Sequence, residues 1–100
     1  MKIETQSDRL RISEVPELSG HTAALFRNQV HSALTEVHKF IDIDLCDTQY
    51  LDSAGLGALI SLLKTVRSRN GGVRLLNPSQ NVRTILSLTR LHRVFEVKSA

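Results

Sequence analysis

The run Tyr50-Leu51-Asp52-Ser53-Ala54-Gly55-Leu56-Gly57 holds the residue types best arranged for chemistry. It joins an alternating apolar stretch, which reads as a strand, to a stretch with helical spacing. Ser53 therefore stands where a helix begins. Backbone N–H groups at a helix start lack intrahelical partners, and the dipole there is positive. A phosphate is well accommodated at such a point. Ser53 is accordingly read as a phosphorylation switch, not as a nucleophile.

Other chemistries fit the same residues less well. A hydrolase elbow needs Gly two residues before and two after the Ser. Leu51 fills the first of these positions and Gly55 the second. No Gly-x-x-x-x-Gly-Lys-Ser/Thr run is present, and Gly55-Leu56-Gly57 lacks the third Gly of a dinucleotide fingerprint. A plain helix cap by Asp52 or Ser53 is the competing structural reading. Capping does not call for Gly55 and Gly57, which each cost a helix about 1 kcal/mol relative to Ala. They suit a backbone that something approaches closely, either the sheet or a partner.

Asp42, Asp44, Asp47 and Asp52 do not have EF-hand spacing. Asp42 and Asp44 share a strand face and are expected in solvent. His21, His31, His38 and His92 lack zinc-site spacing and are expected at the surface. Cys46 ends an apolar strand and is expected to be buried. No metal, no other cofactor and no catalytic activity are expected.

The elements that position these residues follow from periodicity. Lys2 to Gln6 and Arg9 to Val15 read as two strands around a Ser7-Asp8 turn, with Pro16 ending the second. Ser19 or Thr22 caps a helix that carries Leu25, Phe26, Val30, Ala33, Leu34 and Val37 inward and stops near His38-Lys39. Phe40 to Cys46 alternates as a strand, and Asp47 to Leu51 connects it onward. A second helix spans about Ala54 to Arg69, with Leu56, Leu59, Ile60, Leu63 and Val66 inward. Asn70-Gly71-Gly72 stops it. Val73 to Leu76 is a brief strand, Asn77-Pro78-Ser79 starts a third helix with Val82, Ile85 and Leu86 inward, and Val94 to Val97 is a last strand. The order β-β-α-β-α-β-α-β predicts an α/β fold with a mixed, mostly parallel sheet.

The chain has 100 residues, 41% hydrophobic and 23% charged, which predicts one globular domain over residues 1–100. The apolar-rich run Ala54 to Leu63 is half of the ~20 residues a spanning helix needs. Met1 to Thr5 lacks signal-peptide character, and a single Cys forms no internal disulfide, so a cytoplasmic location is expected. The net charge of +3 hides an asymmetry. Ser53 to Phe95 contains no Asp or Glu but carries Lys64, Arg67, Arg69, Arg74, Arg83, Arg90 and Arg93. That half either attracts an acidic partner or is balanced in space by the other half. Nucleic acid is not expected, because no aromatic residues interleave the cations to stack on bases.

The run Asp52-Ser53-Ala54-Gly55-Leu56-Gly57, after Ile41-Asp42-Ile43-Asp44-Leu45, resembles the signature of STAS domains. More narrowly, it is similar to bacterial anti-sigma factor antagonists. Glu17-Leu18 with His21-Thr22-Ala23, then Asn70 to Ser79, Leu86 to Leu91 and Val94-Phe95, extend the likeness over nearly the whole chain. The resemblance implies that Ser53 is phosphorylated by a partner that is both anti-sigma factor and serine kinase. The unphosphorylated form binds that partner and frees the sigma factor, and a phosphatase resets the cycle. It implies a docking surface of Ser19, His21, Asp52, Ser53, Ala54, Gly55, Leu56 and Gly57. Many members carry Asp at the position of Ser19, and a Gly often stands where this chain has Val15-Pro16. The alternative implied by the same likeness is a constitutive STAS subunit of a larger assembly, such as a lipid-transport ATPase complex or a signalling scaffold.

Overall fold

A computed structural model describes residues 1–99. Strands β1 (Lys2–Gln6) and β2 (Arg9–Ser13) form the hairpin, and a two-residue strand β3 (Glu17–Leu18) leads into helix α1 (Gly20–Ala33). Then come β4 (Phe40–Asp44), a second two-residue strand β5 (Tyr50–Leu51), α2 (Ser53–Arg67), β6 (Gly72–Leu76), α3 (Gln80–Leu88), a 3-10 turn (Leu91–Arg93) and β7 (Glu96–Lys98). The main sheet has the order β1-β2-β4-β6-β7, antiparallel only between β1 and β2.

From β2 onward the strands step in one direction across the sheet. With the right-handed crossovers that parallel strands require, all three helices fall on one face. The register agrees. Leu10, Ile41 and Val73 form one row on that face, and Ile12, Ile43, Leu75 and Val97 form the next. Phe26 and Val30 from α1, Leu59, Leu62, Leu63 and Val66 from α2, and Val82 and Leu86 from α3 are buried with these rows in one core.

The other face bears a row of alternating charge through all five strands: Glu4, Arg11, Asp42, Arg74, Glu96. Asp42 was expected in solvent, yet its side chain is 4% exposed. Arg74 donates to both of its oxygens, at 2.8 and 2.6 Å, and Arg9 donates to Oδ1 at 2.6 Å. Burial disfavours the charged carboxylate, but the hydrogen bonds from Arg74 and Arg9 outweigh it and hold the Asp42 pKa below the ordinary value. The Arg9 guanidinium also lies over the Phe40 ring, 4.8 Å from its centroid.

Several expectations are corrected. Helix α1 ends at Ala33, not near His38-Lys39, and Val37 is exposed. Beyond Leu34 the backbone finds other partners. Thr35 N–H donates to His38 Nδ1 at 3.0 Å, and Arg69 donates to the carbonyls of Thr35 and His38 at 2.8 and 3.0 Å. His38 is therefore buried, at 2% exposure, not a surface residue. Leu25, expected inward, is 56% exposed. Cys46, expected buried, is exposed. Strand β4 stops at Asp44, whose Oδ1 accepts from Cys46 N–H at 3.0 Å, so the chain turns and Leu45 takes the buried place. Strand β2 ends at Ser13, before Glu14 at φ 57°, not at Val15. The last strand is Glu96–Lys98, because Leu91–Arg93 coils into the 3-10 turn.

Candidate functional site

The site is built by the two shortest strands. Strands β3 and β5 pair in parallel, Glu17 with Tyr50 and Leu18 with Leu51. Each runs directly into a helix cap, Ser19 for α1 and Asp52 for α2. The two helices therefore start side by side, with their unsatisfied N–H groups and positive dipole ends at one place.

The Asp52 carboxylate ties the starts together. Its Oδ1 accepts from Gly55 N–H at 3.0 Å, which is the cap of α2 itself. Its Oδ2 accepts from Gly20 N–H at 3.1 Å, in the first turn of α1. The Gly55 bond, with a smaller part from Gly20, holds the Asp52 pKa below the ordinary carboxylate value. Ser19 N–H donates to Thr22 Oγ1 at 3.1 Å, the return half of a capping box at the start of α1.

Ser53 is the first residue of α2 and is exposed. Its hydroxyl has no hydrogen-bond partner among the described residues. Ala54 and Gly57 are exposed on the same helix, and His21 is exposed on the first turn of α1. A shallow groove of about 340 Å³ runs between the two helix starts, lined by Gly20, Ala23, Ala24, Arg27, Ala54, Gly57, Ala58 and Ser61.

The two glycines separate. A Cβ at Gly55 would lie 2.0 Å from the Leu18 carbonyl oxygen, so this glycine lets α2 sit against β3. A Cβ at Gly57 would meet nothing within 4 Å. Internal packing thus accounts for Gly55 and leaves Gly57 unexplained. Leu56 is half-buried against the core, so its side chain is mainly structural. The role of Gly20 as donor to Asp52, and Arg27 in the groove, are not signalled by the sequence motif.

The cations of the C-terminal half divide as well. Arg74 is taken up by Asp42 and Arg69 by backbone carbonyls. Lys64, Arg67, Arg90 and Arg93 are exposed and form no ion pair among the described residues. No group of three or more His, Cys, Asp or Glu among these residues could hold a metal ion. None of their helices is long and apolar enough to cross a membrane.

The chain is thus a one-sided α/β layer with an exposed serine at paired helix starts. The chain belongs to the STAS domain family, whose model matches residues 2–100, and within it to the anti-sigma factor antagonists. It is 33% identical over 82 residues to a Thermotoga maritima protein with the provisional name anti-sigma factor antagonist, covering 81% of this chain and 73% of that one. It is 25% identical over 96 residues to the anti-sigma-B factor antagonist of Listeria monocytogenes, covering 96% and 84%. The fold matches the anti-sigma factor antagonist SpoIIAA in its unphosphorylated form with a TM-score of 0.85 at 22% identity, over 99% of this chain and 86% of that one. Against the phosphorylated form of SpoIIAA the TM-score is 0.78 at 21% identity, over 99% and 89%.

Proposed function

We propose that this chain is a phosphorylation-controlled protein-binding switch. Unphosphorylated at Ser53, it binds an anti-sigma factor that is also a serine kinase, and a sigma factor is thereby released. Phosphorylation of Ser53 by that partner ends the complex, and a phosphatase restores it. The chain acts in the cytoplasm as a single STAS domain, without catalysis of its own and without contacting nucleic acid. The docking surface comprises Ser19, His21 and, from the run Asp52 to Gly57, the exposed Asp52, Ser53, Ala54 and Gly57, with Gly55 and Leu56 holding the helix start against the core behind them.

The observation that carries this reading is the exposed, unbonded Ser53 hydroxyl on the first residue of α2, beside the start of α1 and next to the groove. The positive dipole ends of the two helices beside it suit a phosphate. Phosphorylation adds about −1.5 to −2 charge and three strong acceptors. It does so next to Asp52, whose carboxylate is held ionised, so negative charge accumulates where a partner must lose water.

The test is a titration of wild type, Ser53→Ala and Ser53→Asp against the kinase-type anti-sigma factor, with intact-mass measurement of phosphate on each. Ala should bind like wild type and carry no phosphate. Asp should fold normally, since an acid in the first turn suits the helix dipole. It should bind weaker by roughly 2–5 kcal/mol, a few powers of ten, because the added charge is desolvated without a partner. Equal affinity of all three forms would refute the switch and favour a constitutive subunit.

A further inference from the structure

Strand β1 is a sheet edge with an uncovered outer side. It has five residues, against three for β7 at the other edge. Natural edges are commonly blunted by Pro, a bulge or repelling charge. Strand β1 has no Pro, and its two charges are opposite, Lys2 and Glu4.

Its hydrogen-bonding phase follows from the turn. Gln6 and Arg9 are partners on either side of the two-residue Ser7-Asp8 turn. Residues in that position exchange both backbone bonds, and bonded and non-bonded pairs alternate from there. Ile3 and Thr5 thus turn their N–H and C=O away from β2, toward the open edge. Beside that edge, on the helix-covered face, lies a depression of about 490 Å³ lined by Met1, Ile3, Leu25, Asn28, Gln29 and Ser32. Met1 is 45% and Leu25 56% exposed there.

We propose that this edge is a self-association surface, and that its occupant is β1 of a second copy of this chain. Antiparallel pairing about a two-fold axis at Ile3 sets Ile3 against Ile3, the pair whose backbone groups point outward. It sets Lys2 of each copy opposite Glu4 of the other, on the uncovered face. The opposite charges therefore meet twice, and the apolar depression is closed by the second copy's Ile3 and Leu25 side. The axis closes the assembly at two chains and forms one continuous sheet. Helix α2 packs toward β6, so the groove beside Ser53 lies across α1 from this edge and stays open.

Two five-residue strands and their flanks make an interface at the low end of the size range, about 1,000 Å², so association is to be read from about 5 µM to about 1 mM. Sedimentation velocity on the intact chain should show mass rising toward twice the monomer. Lys2→Glu alone and Glu4→Lys alone should each weaken association about tenfold or more, since like charges then face each other twice. The combined Lys2→Glu/Glu4→Lys chain should restore it. Thermal melts establish that each variant is folded. A constant monomer mass across the range would overturn the proposal. So would a dimer indifferent to the single reversals, or a combined variant that fails to recover.

Discussion

Substituting Ala at Gly55 and at Gly57 adds the same methyl group two residues apart on α2, and the two should move stability in opposite directions. At Gly55 the new Cβ would sit 2.0 Å from the Leu18 oxygen and 2.8 Å from Leu51 Cδ1, where ordinary contact begins at 3.4 Å. The Leu51 methyl can swing aside. The Leu18 carbonyl cannot, because it belongs to the β3–β5 pair and accepts the Asp52 N–H at 3.3 Å. The first turn of α2 must therefore retreat from β3. Overpacking of this kind costs about 1–3 kcal/mol. A better helix former returns about 1 kcal/mol of that. Gly55→Ala should lower Tm by several degrees, at about 4–8 °C per kcal/mol for a domain of this size. Gly57→Ala meets no obstacle, so the helix gain of about 1 kcal/mol stands alone and Tm should rise by about 4–8 °C. Scanning calorimetry and urea titration of both variants give the comparison directly. Binding to the anti-sigma factor adds a second reading. If a partner backbone lies on Gly57, the more stable variant should bind at least about tenfold more weakly. A stabilised Gly55→Ala, or a destabilised Gly57→Ala, would refute the packing argument outright.

Three further outcomes are expected. Asp42→Ala leaves Arg9 and Arg74 facing one another without their carboxylate and should cost about 2–4 kcal/mol in urea titration. Because the folded Asp42 pKa lies below the ordinary 3.8, its stabilisation is complete above that value and lost as pH falls through the folded one, so the variant's acid limb should be flatter below about pH 4. Ser19→Asp, which supplies a carboxylate at the cap of α1, should raise the initial rate of Ser53 phosphorylation measured by mass spectrometry; an unchanged rate would leave Ser19 as an ordinary cap. Cys46 should be alkylated in the folded protein, but slowly at neutral pH, since its hydrogen bond to Asp44 and some desolvation raise the thiol pKa.

The central strand, the capped start of α2 and the Asn70-Gly71-Gly72 stop could be read from local pattern, because each is decided by neighbours in sequence. Asn70 takes φ 62°, and Gly71 N–H bonds the Val66 carbonyl at 2.8 Å, as that stop requires. What could not be read depends on distant residues. Leu34 and Val37 keep helical spacing although α1 has ended, because Arg69, from the turn that follows α2, takes the loop carbonyls. Asp42 looks like any polar strand residue until Arg9 and Arg74 arrive from strands on either side. Strands β3 and β5 have two residues each, too few for any periodicity, yet they set Ser19 and Asp52 side by side. The motif thus marked the serine but not the second helix start that shares its carboxylate.

The row of alternating charge across the uncovered face has a consequence for alignment. The β1–β2 hairpin has a tight turn to fix which residues face each other. The parallel strands are joined through helices and have none. Their apolar rows do not fix it either. Sliding β6 by two residues along β4 would set Leu75 beside Ile41, one aliphatic residue for another. The same slide would set Leu76 beside Asp42 and Arg74 beside Phe40, stranding a buried carboxylate. The aliphatic rows decide which side of each strand turns inward. A single carboxylate between two guanidinium groups decides how far along β4 its two neighbours, β2 and β6, come to rest.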